Sequence, residues 1–191
     1  METKFNEKEH WNKFSGRIEA KHYNQILEWI SWYNPKKVLD CGCGLGHYIK
    51  AFADYGVDAY GFDKSKEAVI RIPYKEVKDK VIEGSLKQIP YKDDFADLVL
   101  CYDILEHIPE EEIDGAIKEL ARVSSKYILL SITCIDNPNF PQDPTHVTGR
   151  LRQWWEDKII RAGLKLHPVP LNFLFYPQII ICSVSEEEVI K

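Results

Sequence analysis

Three glycines at alternate positions, in Cys41-Gly42-Cys43-Gly44-Leu45-Gly46, follow Val38-Leu39-Asp40 and precede a helical pattern. Glycine lets a chain turn sharply and lets a ligand lie against the backbone without meeting a Cβ. A strand that runs into such a loop and then into a helix is the opening unit of a doubly wound α/β sheet. In that architecture ligands bind beyond the carboxyl ends of the strands, where the strand order reverses. The N–H groups at the start of the following helix suit a carboxylate or a phosphate. Spacing narrows the ligand further, because a dinucleotide loop reads G-x-G-x-x-G/A with a third small residue under the pyrophosphate. Counted from Gly42 that position holds His47, and counted from Gly44 it holds Ile49, so this loop is of another kind.

The rest of the chain continues the alternation. Tyr23, Ile26, Leu27 and Ile30 form one apolar stripe of a first helix, which Asn34-Pro35 ends. Strands are predicted at Lys37–Asp40, Val57–Phe62, Lys80–Glu83, Phe95–Cys101 and Tyr127–Ile132, with helices at His47–Tyr55, stopped by Gly56, and from a Ser65 cap through Ile70. The clearest helix is Glu110–Val123, where Pro109 suits the start, three glutamates face the positive end, and Ile113, Ala116, Ile117, Leu120 and Ala121 form a stripe. A helix at Leu151–Ala162, ended by Gly163, precedes two strands, Leu164–Val169 and Ile179–Val184. Too little chain separates those two strands for a helical crossover, so they are expected to pair antiparallel. The expected fold is a Rossmann-like, doubly wound, seven-stranded α/β sheet, mostly parallel with an antiparallel last strand and helices on both faces.

The G-x-G-x-G loop preceded by Val38-Leu39-Asp40 resembles the first motif of class I S-adenosylmethionine-dependent methyltransferases. Gly61-Phe62-Asp63-Lys64-Ser65, Glu83-Gly84-Ser85-Leu86, Ile89-Pro90-Tyr91, Phe95-x-Asp97-Leu98-Val99 and Leu105-Glu106-His107-Ile108-Pro109 resemble later segments of the small-molecule, methyltransferase type 11 or ubiquinone-biosynthesis-like branch of that family. The resemblance runs from Val38 to Gly163. It implies S-adenosylmethionine as cofactor, with Asp40 and the backbone of Cys41, Gly42, Cys43, Gly44 and Gly46 at its methionine end. Asp63, followed by Lys64, would take the ribose, since a carboxylate there can accept from both vicinal hydroxyls. Ser85 and Leu86 would lie beside the adenine, although many relatives carry Asp at the Ser85 position. Cys101, Tyr102 and Asp103 would line the floor beneath the transferable methyl. The implied organisation is one domain over 1–191, with a helical lid at 1–34 containing Trp11, Phe14 and Tyr23, a cofactor core at 36–133, and a substrate-side loop, helix and hairpin at 134–191.

Methyl transfer from a sulfonium is an in-line displacement, so the protein must align the acceptor and take its proton where it carries one. Candidate groups stand after strands four and five: His146 in Asp143-Pro144-Thr145-His146-Val147-Thr148, Asp103 and His107. His146 reads as a base over the acceptor or as a residue that satisfies backbone groups of an irregular loop. His107 reads as a base or as packing before its helix, and Asp103 as an orienting group or a turn residue. The oxygen and nitrogen donors Asp136, Asn137, Asp143 and His146 share one connector without diagnostic metal spacing, and no metal is expected. Trp154, Ile159 and Ala162 read as core, Trp155 as facing the pocket or the first helix, and Phe173, Phe175 and Tyr176 as a hairpin cap or the wall of an apolar site.

Composition fits these expectations. The chain has 191 residues, 45% of them apolar, with 25 Lys+Arg against 30 Asp+Glu. Its apolar runs, such as Tyr127–Ile132, fall far short of the ~20 residues of a membrane span. Met1–Glu9 is charged rather than apolar, so neither a membrane nor a secretion signal is expected, and a cytoplasmic location is. A net charge of −5 with scattered basic residues makes nucleic acid an unexpected partner. Five cysteines without a C-x-x-C pair indicate free thiols. The alternatives are a protein or RNA methyltransferase, disfavoured because Cys101-Tyr102-Asp103-Ile104 stands where amino-directed enzymes carry Asn/Asp-Pro-Pro-Tyr/Phe, and a non-catalytic S-adenosylmethionine- or nucleotide-binding protein. A nicotinamide-dependent oxidoreductase is disfavoured by the loop spacing. The expected partner is a small-molecule substrate.

Overall fold

Successive side chains of a strand point to opposite faces, and the central strands carry apolar residues on both. Strand β1 (Lys37–Cys41) sends Val38 into one layer and Leu39 and Cys41 into the other, while β4 (Ala96–Tyr102) divides Leu98 and Leu100 from Val99 and Cys101 in the same way. Both layers must therefore be covered. Helices α1 (Ala20–Tyr33) and α2 (His47–Asp54) cover the first, and α4 (Glu110–Val123) and α5 (Arg152–Arg161) cover the second, with the short α3 (Lys66–Ile70) following β2 (Asp58–Asp63). Each fully buried Leu, Ile or Phe in these layers contributes roughly 1.5–3 kcal/mol.

The computed structural model describes residues 20–135, 143–169 and 178–184. With β3 (Val81–Glu83), β5 (Ser124–Ser131), β6 (Lys165–His167) and β7 (Ile179–Ser183), the strands form one seven-stranded sheet in the order β3-β2-β1-β4-β5-β7-β6. The pairs among β1 to β5 are parallel, and β7 runs antiparallel to both β5 and β6. This is the expected sheet, and its order reverses between β1 and β4.

Local chemistry sets the boundaries. Ser65 Oγ accepts from Ala68 N at 3.2 Å and caps α3, while Gly56 and Gly163 stop helices at φ +77° and +84°. Helix α4 has the expected limits. Three expectations need correction. Leu27 is 45% exposed, and the inward face of α1 is Ile26, Trp29 and Tyr33. Trp155 is the tryptophan of α5 buried with Ile159, whereas Trp154 is only partly buried and carries Arg150 and Lys158 over its ring at 5.7 and 5.1 Å. Strand β5 begins at Ser124 rather than Tyr127, with Ser125 Oγ donating to Ala96 O at 3.3 Å. Trp11, Phe14, Asp136, Asn137, Phe173, Phe175 and Tyr176 lie outside the described residues. Among the described residues no helix is long and apolar enough to cross a membrane.

Candidate functional site

The glycine loop leaves β1 at the reversal point of the sheet. Gly42, Gly44 and Gly46 have φ of +85°, +52° and +74°, a region that side chains rarely enter. At Gly42 space is also closed, because a Cβ would come 2.4 Å from Ile104 Cδ1. The loop is strapped to the end of β2. Gly42 N and Cys43 N both donate to Phe62 O at 2.9 and 3.0 Å, Gly44 N donates to Asp63 Oδ2 at 2.8 Å, and Ser65 N donates to Asp63 Oδ1 at 2.8 Å. Each Asp63 oxygen has lone-pair capacity beyond one such bond.

Asp40 is 3% exposed, and its Oδ2 has no hydrogen-bond partner among the described residues. Burial, reinforced by the nearby Asp63 carboxylate, raises its pKa to about 7. A buried carboxylate with an unsatisfied oxygen at the mouth of a glycine loop fits a ligand that brings positive charge. The remaining predicted cofactor residues divide. The side chains of Cys41 and Cys101 are packed into the α4 layer and that of Cys43 into the α2 layer. Tyr102 lies among aromatic rings, with centroids 5.3 Å from Trp29 and 5.5 Å from Tyr48. Leu86 is buried in the α4-side core, Ser85 Oγ accepts from Lys87 N at 3.2 Å, and Lys64 is exposed in the turn after β2.

A second group stands after β4 and β5. Asp103 is held at φ +53°, with its N donating to Ser131 O at 2.9 Å and its Oδ1 accepting from Ser131 Oγ at 2.6 Å. A 3-10 turn, Leu105–His107, then brings Glu106 inside the protein. Glu106 is fully buried; Oε1 accepts from Thr133 N at 2.8 Å, and Oε2 has no partner among the described residues. Burial raises its pKa, opposed by the hydrogen bond from Thr133 N. Burial also raises the Cys101 thiol, helped by Glu106, Asp40 and Asp103, so these three carboxylates share one neighbourhood at the strand ends.

The connector holding His146 crosses this turn. Thr148 N donates to Glu106 O at 3.0 Å, and Thr148 Oγ1 donates to Ile108 O at 2.6 Å. The rings of His107 and His146 meet edge to face, 4.7 Å apart. His107 Nδ1 lies 3.1 Å from Thr145 O and 3.0 Å from Thr145 Oγ1, whose hydroxyl donates to Asp143 Oδ1 at 2.7 Å. Both oxygens act as acceptors toward His107, so its Nδ1 carries the hydrogen and, in the neutral ring, Nε2 keeps the lone pair. Two histidines nominated separately by sequence are thus neighbours. Glu106 and Thr145 were not nominated; the signal for the former is a carboxylate between Leu105 and His107-Ile108 in an otherwise apolar stretch.

Sheet order defines a doubly wound α/β protein, and the glycine loop and buried carboxylates mark a candidate ligand site at the β1–β4 reversal. Residues 39–127 match the family model described as a methyltransferase domain. An uncharacterised methyltransferase of Bacillus subtilis is 27% identical over 137 residues, covering 62% of this chain and 53% of that protein. A ubiquinone biosynthesis O-methyltransferase of Aliivibrio fischeri is 32% identical over 99 residues, covering 49% of this chain and 42% of that one. The chain spans about half the length of the curated relatives it matches. Magnesium protoporphyrin IX methyltransferase from Synechocystis, solved with S-adenosylhomocysteine (SAH) bound, shares the fold with a TM-score of 0.67 at 19% identity, over 93% of this chain and 94% of that one.

Proposed function

We propose that this chain is an S-adenosylmethionine-dependent methyltransferase acting on a small-molecule acceptor. The observation that carries the reading is the pairing of a strapped G-x-G-x-G loop with two buried carboxylates, Asp40 and Asp63, of which Asp40 has an unsatisfied oxygen. S-Adenosylmethionine, when bound, supplies an electrophilic methyl and two positive charges. In this reading Asp40 and the backbone of Cys41, Gly42, Cys43, Gly44 and Gly46 receive the cationic methionine end, and Asp63 accepts from the ribose hydroxyls. Lys64, Ser85 and Leu86 border the nucleoside. Cys101 and Tyr102 contribute backbone at the end of β4, because their side chains are packed into the layers. The acceptor lies beside Asp103, His107 and His146, with an imidazole placed to take its proton. The named acceptors of the ubiquinone and protoporphyrin enzymes are small molecules, which supports the same class here.

Calorimetric titration tests this. SAH is expected to bind and NAD not to bind; failure of the SAH titration sinks the reading. Asp63→Ala is expected to weaken SAH by at least about tenfold, as loss of charge-assisted hydrogen bonds costs ~1.5–3 kcal/mol. Unchanged affinity would refute the ribose assignment.

A further inference from the structure

We infer that Glu106, His107 and His146 form a binding site for one divalent transition-metal cation. A carboxylate oxygen of Glu106 and one ring nitrogen of each histidine lie within 4.8 Å of one another. Two nitrogens and one carboxylate oxygen are a donor set suited to zinc, iron(II), cobalt(II) or manganese(II), and three protein ligands leave positions open to another molecule.

Three further features favour a ligand here over simple packing. Glu106 is fully buried, yet its Oε2 has no hydrogen-bond partner among the described residues, and a buried carboxylate oxygen without a partner is costly. His107 is oriented as metal-bound histidines are: Nδ1–H points at the Thr145 carbonyl, and Asp143 fixes Thr145 through its N–H and hydroxyl at 2.8 and 2.7 Å. That arrangement keeps the Nε2 lone pair available. Finally, the two chain segments that supply the ligands are tied together on both sides of the cluster, by Thr148 to Glu106 O and Ile108 O and by Thr145 to His107. Ligand atoms about 2.1 Å from a common ion stand roughly 3–3.5 Å apart.

The consequence for specificity rests on the methyltransferase reading above. An ion held after β4, next to Asp103, would select acceptors that present an oxygen donor to its open positions. Binding itself does not rest on that reading and is measured without cofactor.

The experiment uses the full chain without an affinity tag, stripped with chelator and then titrated calorimetrically with zinc chloride; cobalt(II) loading is followed by visible absorption. One equivalent per chain is expected, with a ligand-field spectrum that Glu106→Gln and His146→Ala each reduce. Both variants are expected to lose zinc affinity by at least about a hundredfold, and Thr145→Val, which removes the hydroxyl fixing this loop, by about tenfold. No zinc uptake by the wild type, or uptake of equal affinity in His146→Ala, overturns the proposal. If Glu106→Gln fails to fold by circular dichroism, His146→Ala carries the decision. SAH affinity, measured in parallel, reports separately on the cofactor site.

Discussion

Asp40 carries a pH dependence that burial sets and its neighbours reinforce. The Asp63 carboxylate faces it from β2, and the thiols flanking it, Cys41 and Cys43, are held neutral by burial. Its pKa of about 7 in the folded protein lies above the ~3.9 of an unfolded chain. The native state therefore binds more protons between those values. This group's contribution to stability is fully present below about pH 4, declines as pH rises, and levels off above about pH 7. Urea unfolding without cofactor is expected to show Asp40→Asn more stable than wild type at pH 8 by on the order of 1–4 kcal/mol, and much closer to it near pH 4. Parallel pH profiles for the two proteins would rule the account out. The position of Asp40 at the loop was legible from its place before Gly42. Its raised pKa was not, because that depends first on burial in the folded sheet and then on Asp63 arriving from the neighbouring strand. Glu106 was hidden for a similar reason: a Glu in a short motif reads as exposed until Thr133, 27 residues away, donates to it and the segment around Thr148 covers it.

Helix α4, whose signals are self-contained, has the expected limits, whereas the start of β5 and the phase of α5, set by packing partners, differ from expectation. Helix α4 announces itself through Glu110, Glu111, Glu112 and a continuous stripe. Strand β5 starts with Ser124-Ser125-Lys126, which no apolar pattern marks as strand; pairing with β4 makes it one. In α5 the sequence Arg-Gln-Trp-Trp-Glu-Asp-Lys offers too few apolar residues to fix the helical phase, so Trp154 reads as core where the structure buries Trp155. One element interface is directly testable. Arg122 on α4 donates to Tyr91 O at 2.9 Å and Ile89 O at 3.0 Å and pairs with Asp93 and Glu119, pinning the chain between β3 and β4 to the helix. Arg122→Ala leaves two carbonyls without this donor, an expected loss of about 1–3 kcal/mol in urea unfolding with faster amide exchange at the N–H of Ile89. Arg122→Lys is expected to recover only part, because an ammonium cannot reproduce the guanidinium fork. Equal stability and exchange in Arg122→Ala would show that the segment is held elsewhere.

At the scale of the molecule, all five cysteines are buried and spread over both layers. A thiol reagent is therefore expected to titrate none of them rapidly in the native protein and all five in denaturant. A fast native phase would mean that one layer opens on its own. Strand order carries one more consequence. Strand β7 lies between β5 and β6 and pairs with both, while among the described residues β6 pairs with β7 alone. As the chain is synthesised, β6 emerges before β7, the strand that seats it among the described residues. Until residues 179–183 follow, β5 presents a bare edge beside Ile128 and Leu130. A ribosome stalled in that interval would display an unpaired hydrophobic strand margin, the kind of surface that recruits chaperones or joins another unfinished chain.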